Sequence, residues 1–250
     1  PGEQLKLLNG TTVTVSNGLV TATIEKSSAT VTSLLYKGVN MLEGGYSGGK
    51  IYWSWNMPNY QNPSGCTYTL VADPKTNKGT YAELQFHMKW DGSASTAAMD
   101  VDIYYSLPRT AQGIYASAML THPTAYPANP GGEWRMASYV GSMFDWLSVD
   151  SLRNRLMASP ADWAGGTVPD GAPPEVELLN SGIYAGQYEC KYDYSADFGD
   201  LDAWGWSSTT QGLGIWVTVP SWEYYNGGPM KRELTGHNGP TLLNMLGGQH

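Results

Sequence analysis

The chain has 250 residues, of which 30 are glycine, 15 are proline and only 14% are charged, a composition that allows one substantial core and is too rich in turns for a helical bundle. Its net charge of −8 leaves no basic stripe to neutralise phosphates, and no apolar run reaches membrane-spanning length, so neither nucleic acid nor membrane is expected as a partner. Two cysteines, Cys66 and Cys190, without CxxC or HxxxH spacing argue against a structural zinc site; they allow one disulfide or none, and no metal or cofactor is expected.

Residues 12–15 and 19–24 alternate apolar and polar around Asn17-Gly18, a strong hairpin signal. A third strand over 29–36 is closed by Lys37-Gly38-Val39-Asn40, which opens an antiparallel meander. From 44 to 63 the chain is glycine-rich, aromatic and nearly uncharged, and it reads as a loop that either packs down or meets a ligand. Tyr52 and Trp53 are its candidate sugar contacts. Strands are expected over 81–90, 99–106 and 114–121, with Asp100 and Asp102 on one face and a turn at 108–113. His87 and His122 fall in or beside these strands, where a hydrogen-bonded structural histidine is the usual case, and they are assigned no chemistry.

Glu133-Trp134-Arg135 opens another strand. The pattern loosens over 148–163, where a short helical turn is expected to end at Pro160. Residues 187–194 hold Lys191, the only basic residue between Arg155 and Lys231. Read with period two, Lys191 shares a strand face with Glu189 and Asp193, opposite Tyr188, Tyr192 and Tyr194. That placement fits either a lysine neutralising its acidic neighbours on a solvated face or a cation or base in a carbohydrate cleft. Residues 204–206 and 214–220 are expected to form a hairpin around Gln211-Gly212, and a loop through Gly227 and Gly228 is expected to lead to a last strand over 241–246 and to His250. About a dozen short strands without βαβ alternation or fixed-length repeats predict a single all-β domain over 1–250, a large antiparallel β-sandwich.

Dinucleotide, Walker, nucleophile-elbow and HExxH motifs are all missing. Tryptophan (10) and tyrosine (17) far outnumber phenylalanine (3), which suits half-wet surfaces on which sugar rings stack. The few basic residues match one carbohydrate chemistry well. In β-elimination of a uronic acid polymer, a base takes the proton α to the carboxylate, an acid protonates the departing glycosidic oxygen, and a cation holds the charge that grows on the carboxylate. Lys191, His250 and Arg135 are candidates for these three duties.

Gly205-Trp206, Gly214-Ile215-Trp216-Val217, Glu223-Tyr224, Gly227-Gly228-Pro229, Lys231 with Glu233-Leu234, and Met245 through His250 resemble the closing part of the catalytic module of the rhamnogalacturonan lyases of polysaccharide lyase family 4. The Asn17-Gly18 hairpin and Gly113-Ile114-Tyr115 add to the likeness, which spans nearly the whole chain. The resemblance implies a galactose-mutarotase-like β-super-sandwich, a secreted monomer that cleaves the rhamnose-galacturonic acid backbone of the pectic polysaccharide rhamnogalacturonan I. It implies that Lys191, paired with Tyr192, is the base, that His250 is the acid and that Arg135 in Glu133-Trp134-Arg135 neutralises the carboxylate. Tyr192, Tyr52, Trp53, Glu133, Gly227 and Gly228 are the expected substrate contacts. The family's fibronectin-like and jelly-roll modules are absent from the sequence, and a trimmed or isolated module is the expectation. Two other readings stand beside this one: a sandwich that binds pectic chains without turning them over, and a mutarotase-like isomerase, for which the two-histidine and glutamate set is not evident.

Overall fold

Alternating side chains decide the architecture. The computed structural model describes residues 5–129, 132–173, 176–194, 201–218 and 240–247. The described residues are nearly all β, in several sheets built from antiparallel pairs, the expected sandwich class. It divides into two compact units, one around Pro1–Met41 and Lys50–Trp134, the other around Leu42–Gly49 and Arg135–Gly248.

The first unit begins with β1 (Lys6–Asn9), β2 (Thr12–Ser16), β3 (Val20–Glu25), β4 (Thr30–Tyr36), β5 (Val39–Asn40), β6 (Lys50–Asn56) and β7 (Tyr60–Gln61). These lie in the order β1-β2-β3-β4-β6, with β5 on β4 and β7 on β6. It continues with β8 (Thr67–Ala72), β9 (Tyr81–Met88), β10 (Asp100–Pro108) and β11 (Tyr115–Thr121), a sheet in the order β11-β10-β9-β8. Val13, Val15, Ala22 and Ile24 from the first sheet and Leu84, Phe86, Val101 and Ile103 from the second are all buried, as a two-layer core requires. Lys37 (φ 50°) and Gly38 (φ 84°) both take the left-handed conformation that a two-residue hairpin needs between Tyr36 and Val39. At the predicted Asn17-Gly18 hairpin Asn17 is buried; its Oδ1 accepts from the Leu19 and Val20 amides at 3.0 and 2.8 Å, and its Nδ2 donates to the carbonyls of Pro108 and Ala111, both at 2.9 Å.

Residues 44–63 depart from the expected loop. Lys50–Asn56 is a strand, and its aromatic run reflects burial. Trp55 stacks on Trp134 with ring centroids 4.8 Å apart, while the Trp53 indole donates to the Tyr105 hydroxyl at 3.1 Å. A strand buried on more than one face does not alternate cleanly, and so this one was hidden.

The strand β12 (Trp134–Tyr139) belongs to the second unit from Arg135 onward, and the same unit contains β13 (Trp146–Ser148), β14 (Asn154–Leu156), the helix α1 (Pro160–Ala164), β15 (Val176–Leu178), β16 (Tyr188–Cys190), β17 (Ala203–Ser208), β18 (Leu213–Thr218) and β19 (Thr241–Gly247). β14-β13-β17-β18 make one sheet, β15 and β16 a two-stranded ribbon, and β12 and β19 are neighbours. Trp204 and Trp206 are buried from the same face of β17, and the Trp206 indole donates to the Thr241 carbonyl at 2.9 Å. Between them Gly205 lies under the Trp216 ring: a Cβ there would sit 2.5 Å from the indole, so only glycine fits. Pro160 opens α1 and does not end a helical turn. Ser159 caps the helix with a reciprocal Ser159–Asp162 box, and a proline at the first position loses no helical hydrogen bond. No helix among the described residues is long and apolar enough to cross a membrane.

Candidate functional site

The segment that carries Lys191 is built differently from its period-two pattern. β16 ends at Cys190, and Lys191–Tyr194 winds into a 3-10 turn. Tyr188 and Tyr194 therefore do not share a face: Tyr188 is exposed, while Tyr194 is buried. Glu189, expected beside Lys191 on a wet face, is only 4% exposed.

Glu189 is buried because it has partners. In the ribbon Glu177 is directly opposite Glu189, so the two carboxyl groups lie on one face. From β14, Arg155 donates through Nη2 to Glu189 Oε1 at 3.1 Å. From the end of the turn, the Tyr194 hydroxyl reaches back five residues and donates to Glu189 Oε2 at 2.5 Å. Burial, followed by this bond to Glu189, pushes the Tyr194 phenol far above its usual range, so it remains a donor at any working pH. Arg155 is itself braced. Its guanidinium carbon lies 4.1 Å from the Tyr184 ring centroid, and its Nε donates to the Tyr184 hydroxyl at 3.2 Å. Tyr184 donates onward to the Leu156 carbonyl at 2.6 Å and packs on Ala158, Trp163 and Leu179.

Glu177 has no such support. Its Oε2 is buried without a hydrogen-bond partner among the described residues and lies against Gly166, where any Cβ would collide with it. Burial raises its pKa, the usual response of a carboxyl that cannot find a donor.

The expected site residues fall into three groups. Arg135 is half-buried on β12, and Tyr52 is half-buried on β6 with the Lys50 ammonium 4.9 Å from its ring. Glu133 is fixed by Asn56, whose amide donates to its carbonyl at 3.1 Å and whose Nδ2 donates to its carboxylate at 3.2 Å. Trp53 is a correction: at 2% exposure it belongs to the core of the first unit and offers a sugar no ring face. Lys191 and Tyr192 are placed by their backbone in the 3-10 turn, while Gly227, Gly228 and His250 lie outside the described residues.

His87 and His122 are held as structural residues. Nδ1 of His87 is 2.8 Å from Asp102 Oδ1, and Nε2 of His122 is 3.0 Å from the Pro127 carbonyl. Cys66 and Cys190 are free thiols, and burial pushes Cys66 up to about 11. The polar cluster of Arg155, Glu189 and Tyr194 was missed because its members come from three short elements. One signal was available: Arg155 is the last cation before the long stretch that contains Lys191 alone.

Residues 3–182 match the rhamnogalacturonate lyase family. The chain is also similar to a rhamnogalacturonate lyase of Dickeya dadantii (strain 3937), 30% identical over 115 residues; the match covers 42% of this chain and 20% of that protein, about a fifth of the relative's length.

Proposed function

Because the chain belongs to the rhamnogalacturonate lyase family, we propose that it contributes the elimination site of a secreted enzyme that cleaves the rhamnose-galacturonic acid backbone of rhamnogalacturonan I. The family match over residues 3–182 is the observation that carries this reading. The chemistry needs no added oxidant or nucleophile. A base takes the proton from the carbon α to the galacturonate carboxylate; the electron pair forms a double bond to the β carbon; the glycosidic C–O bond breaks, and an acid protonates the leaving oxygen. One product ends in an unsaturated uronate and the other in a new hydroxyl.

Lys191 is the proposed base, His250 the acid and Arg135 the cation that holds the charge growing on the carboxylate. Three observations support parts of this assignment. Lys191 is the lone basic residue of its stretch and sits at the start of a turn, where strand order gives way to a local bend. Arg135 is a half-buried residue, and a fixed cation partly removed from water acts more strongly on a developing carbanion. Glu189, which would otherwise favour the lysine's charged form, has its charge met by Arg155 and Tyr194. Tyr52, Tyr192, Glu133, Gly227 and Gly228 remain proposed contacts for the saccharide.

The test is the product. Full-length protein incubated with rhamnogalacturonan I should release oligosaccharides that absorb in the ultraviolet through the new double bond conjugated to the carboxylate. Saturated ends alone would overturn the elimination. Lys191→Ala should lower the rate by about a hundredfold or more, the usual contribution of a general base.

A further inference from the structure

We propose that Arg155, Glu189 and Tyr194 form a clamp that fixes the turn from which Lys191 acts; this rests on the reading of Lys191 as the base. The turn contains only Lys191–Tyr194 and is anchored at both ends. At its start, β16 is paired with β15, Cys190 being opposite Val176. At its end, Tyr194 is buried and bonded back to Glu189 at 2.5 Å. Lys191 is thus the first residue of a short arc whose two feet meet on one carboxylate.

That carboxylate cannot drift. Glu189 is 4% exposed, and Arg155 holds its other oxygen at 3.1 Å from a separate strand. Two donors of different kinds share the work: the guanidinium supplies the opposite charge, and the phenol supplies the link to the turn. Without Tyr194 the turn would keep its peptide bonds but lose its return anchor. Without Arg155 the ribbon would hold a buried carboxylate opposite Glu177, whose own Oε2 is buried without a partner among the described residues. These three residues need not touch substrate. They are positioning residues, and their effect should fall on the chemical step, because a base displaced by about 1 Å loses most of its advantage.

The experiment uses the full-length protein with rhamnogalacturonan I as substrate, and it compares Tyr194→Phe, Arg155→Met and Arg155→Lys with Asp102→Asn, a control for simple loss of stability in the first unit. Tyr194→Phe should lower kcat about tenfold with KM within about twofold of the parent. Arg155→Met should lower kcat at least as much, and Arg155→Lys should recover part of the loss. Asp102→Asn should leave kcat unchanged even though its thermal midpoint falls. Parental kcat in Tyr194→Phe would overturn the clamp, as would a fall in kcat that merely follows the thermal midpoint across all four variants. If Arg155→Met does not fold, Tyr194→Phe decides alone, since it removes one oxygen and no charge. Lys191→Ala with a near-parental rate would overturn the base assignment itself. An inactive Lys191→Ala beside a fully active Tyr194→Phe would overturn the clamp only.

Discussion

Two buried carboxylates in this protein are held in contrasting ways. Asp102 lies on the long strand β10, and its partners come from the neighbouring strand: His87, its register partner, and Gln85, each 2.8 Å from Oδ1. Glu189 lies on a three-residue strand and draws Arg155 and Tyr194 from β14 and from the turn beyond Cys190. The first arrangement follows from sheet register, which repeats along the ladder and would exist for any polar pair placed there. The second exists only where several chain segments converge. It joins a full opposite charge to a buried acceptor, the kind of pair whose disruption leaves a charge stranded.

The difference predicts unequal responses to the same chemical change. Glu189→Gln removes the charge that faces Arg155 and should cost about 3 kcal/mol, measured as a shift in the denaturation midpoint, because hydrogen bonds to charged groups are the stronger ones and Tyr194 also loses an acceptor. A cost below that of the Asp102 change would break the comparison. Gly182→Ala should come next, at about 2 kcal/mol: φ is +77° there, and the added methyl would run into the Asp162 carboxylate that caps α1. Asp102→Asn keeps an oxygen for both donors and should cost only about 1 kcal/mol.

The smallest effect is a matter of pH. Burial raises the Glu177 pKa in the folded state above its ordinary 4.5, so the folded protein binds more protons than the unfolded chain as pH climbs through that value. Stability is therefore spared below about 4.5 and declines as pH rises towards the folded pKa. Glu177→Gln should match the parent near pH 4 and exceed it at pH 7 in paired thermal melts. Equal gains at both pH values would show that packing, and not titration, sets the difference.

The same contrast explains what the sequence revealed. The hairpins at Asn17-Gly18 and Gln211-Gly212 were legible because turn chemistry and alternation are local, whereas the short return strand Val39–Asn40 was read as part of the turn that closes β4. β9 and β10 were legible for the same reason. The Lys50–Asn56 strand was read as a loop because glycines flank it and because tryptophans buried in the core look, in sequence, like tryptophans waiting for a sugar. Pro160 misled through its position: the same residue that would end a helix also begins one when a Ser159-type cap precedes it. At the site, Lys191 was conspicuous through its isolation, but its strand parity was an artefact of alternating letters in a segment that bends after Cys190. Nothing local pairs Glu189 with Arg155, 34 residues earlier, and so the clamp could be seen only in three dimensions.

Asn17 has a consequence for the order in which the first unit assembles. Its amide bridges to Pro108 across 91 residues and to Ala111 across 94, closing a long loop between two turns that each form quickly by themselves. Contacts of that separation are made late, after the sheets have collapsed, so they add little to the folding transition state. They should act mainly as a latch on the way out: Asn17→Ala would be expected to quicken unfolding while leaving the folding limb of the chevron almost where it was.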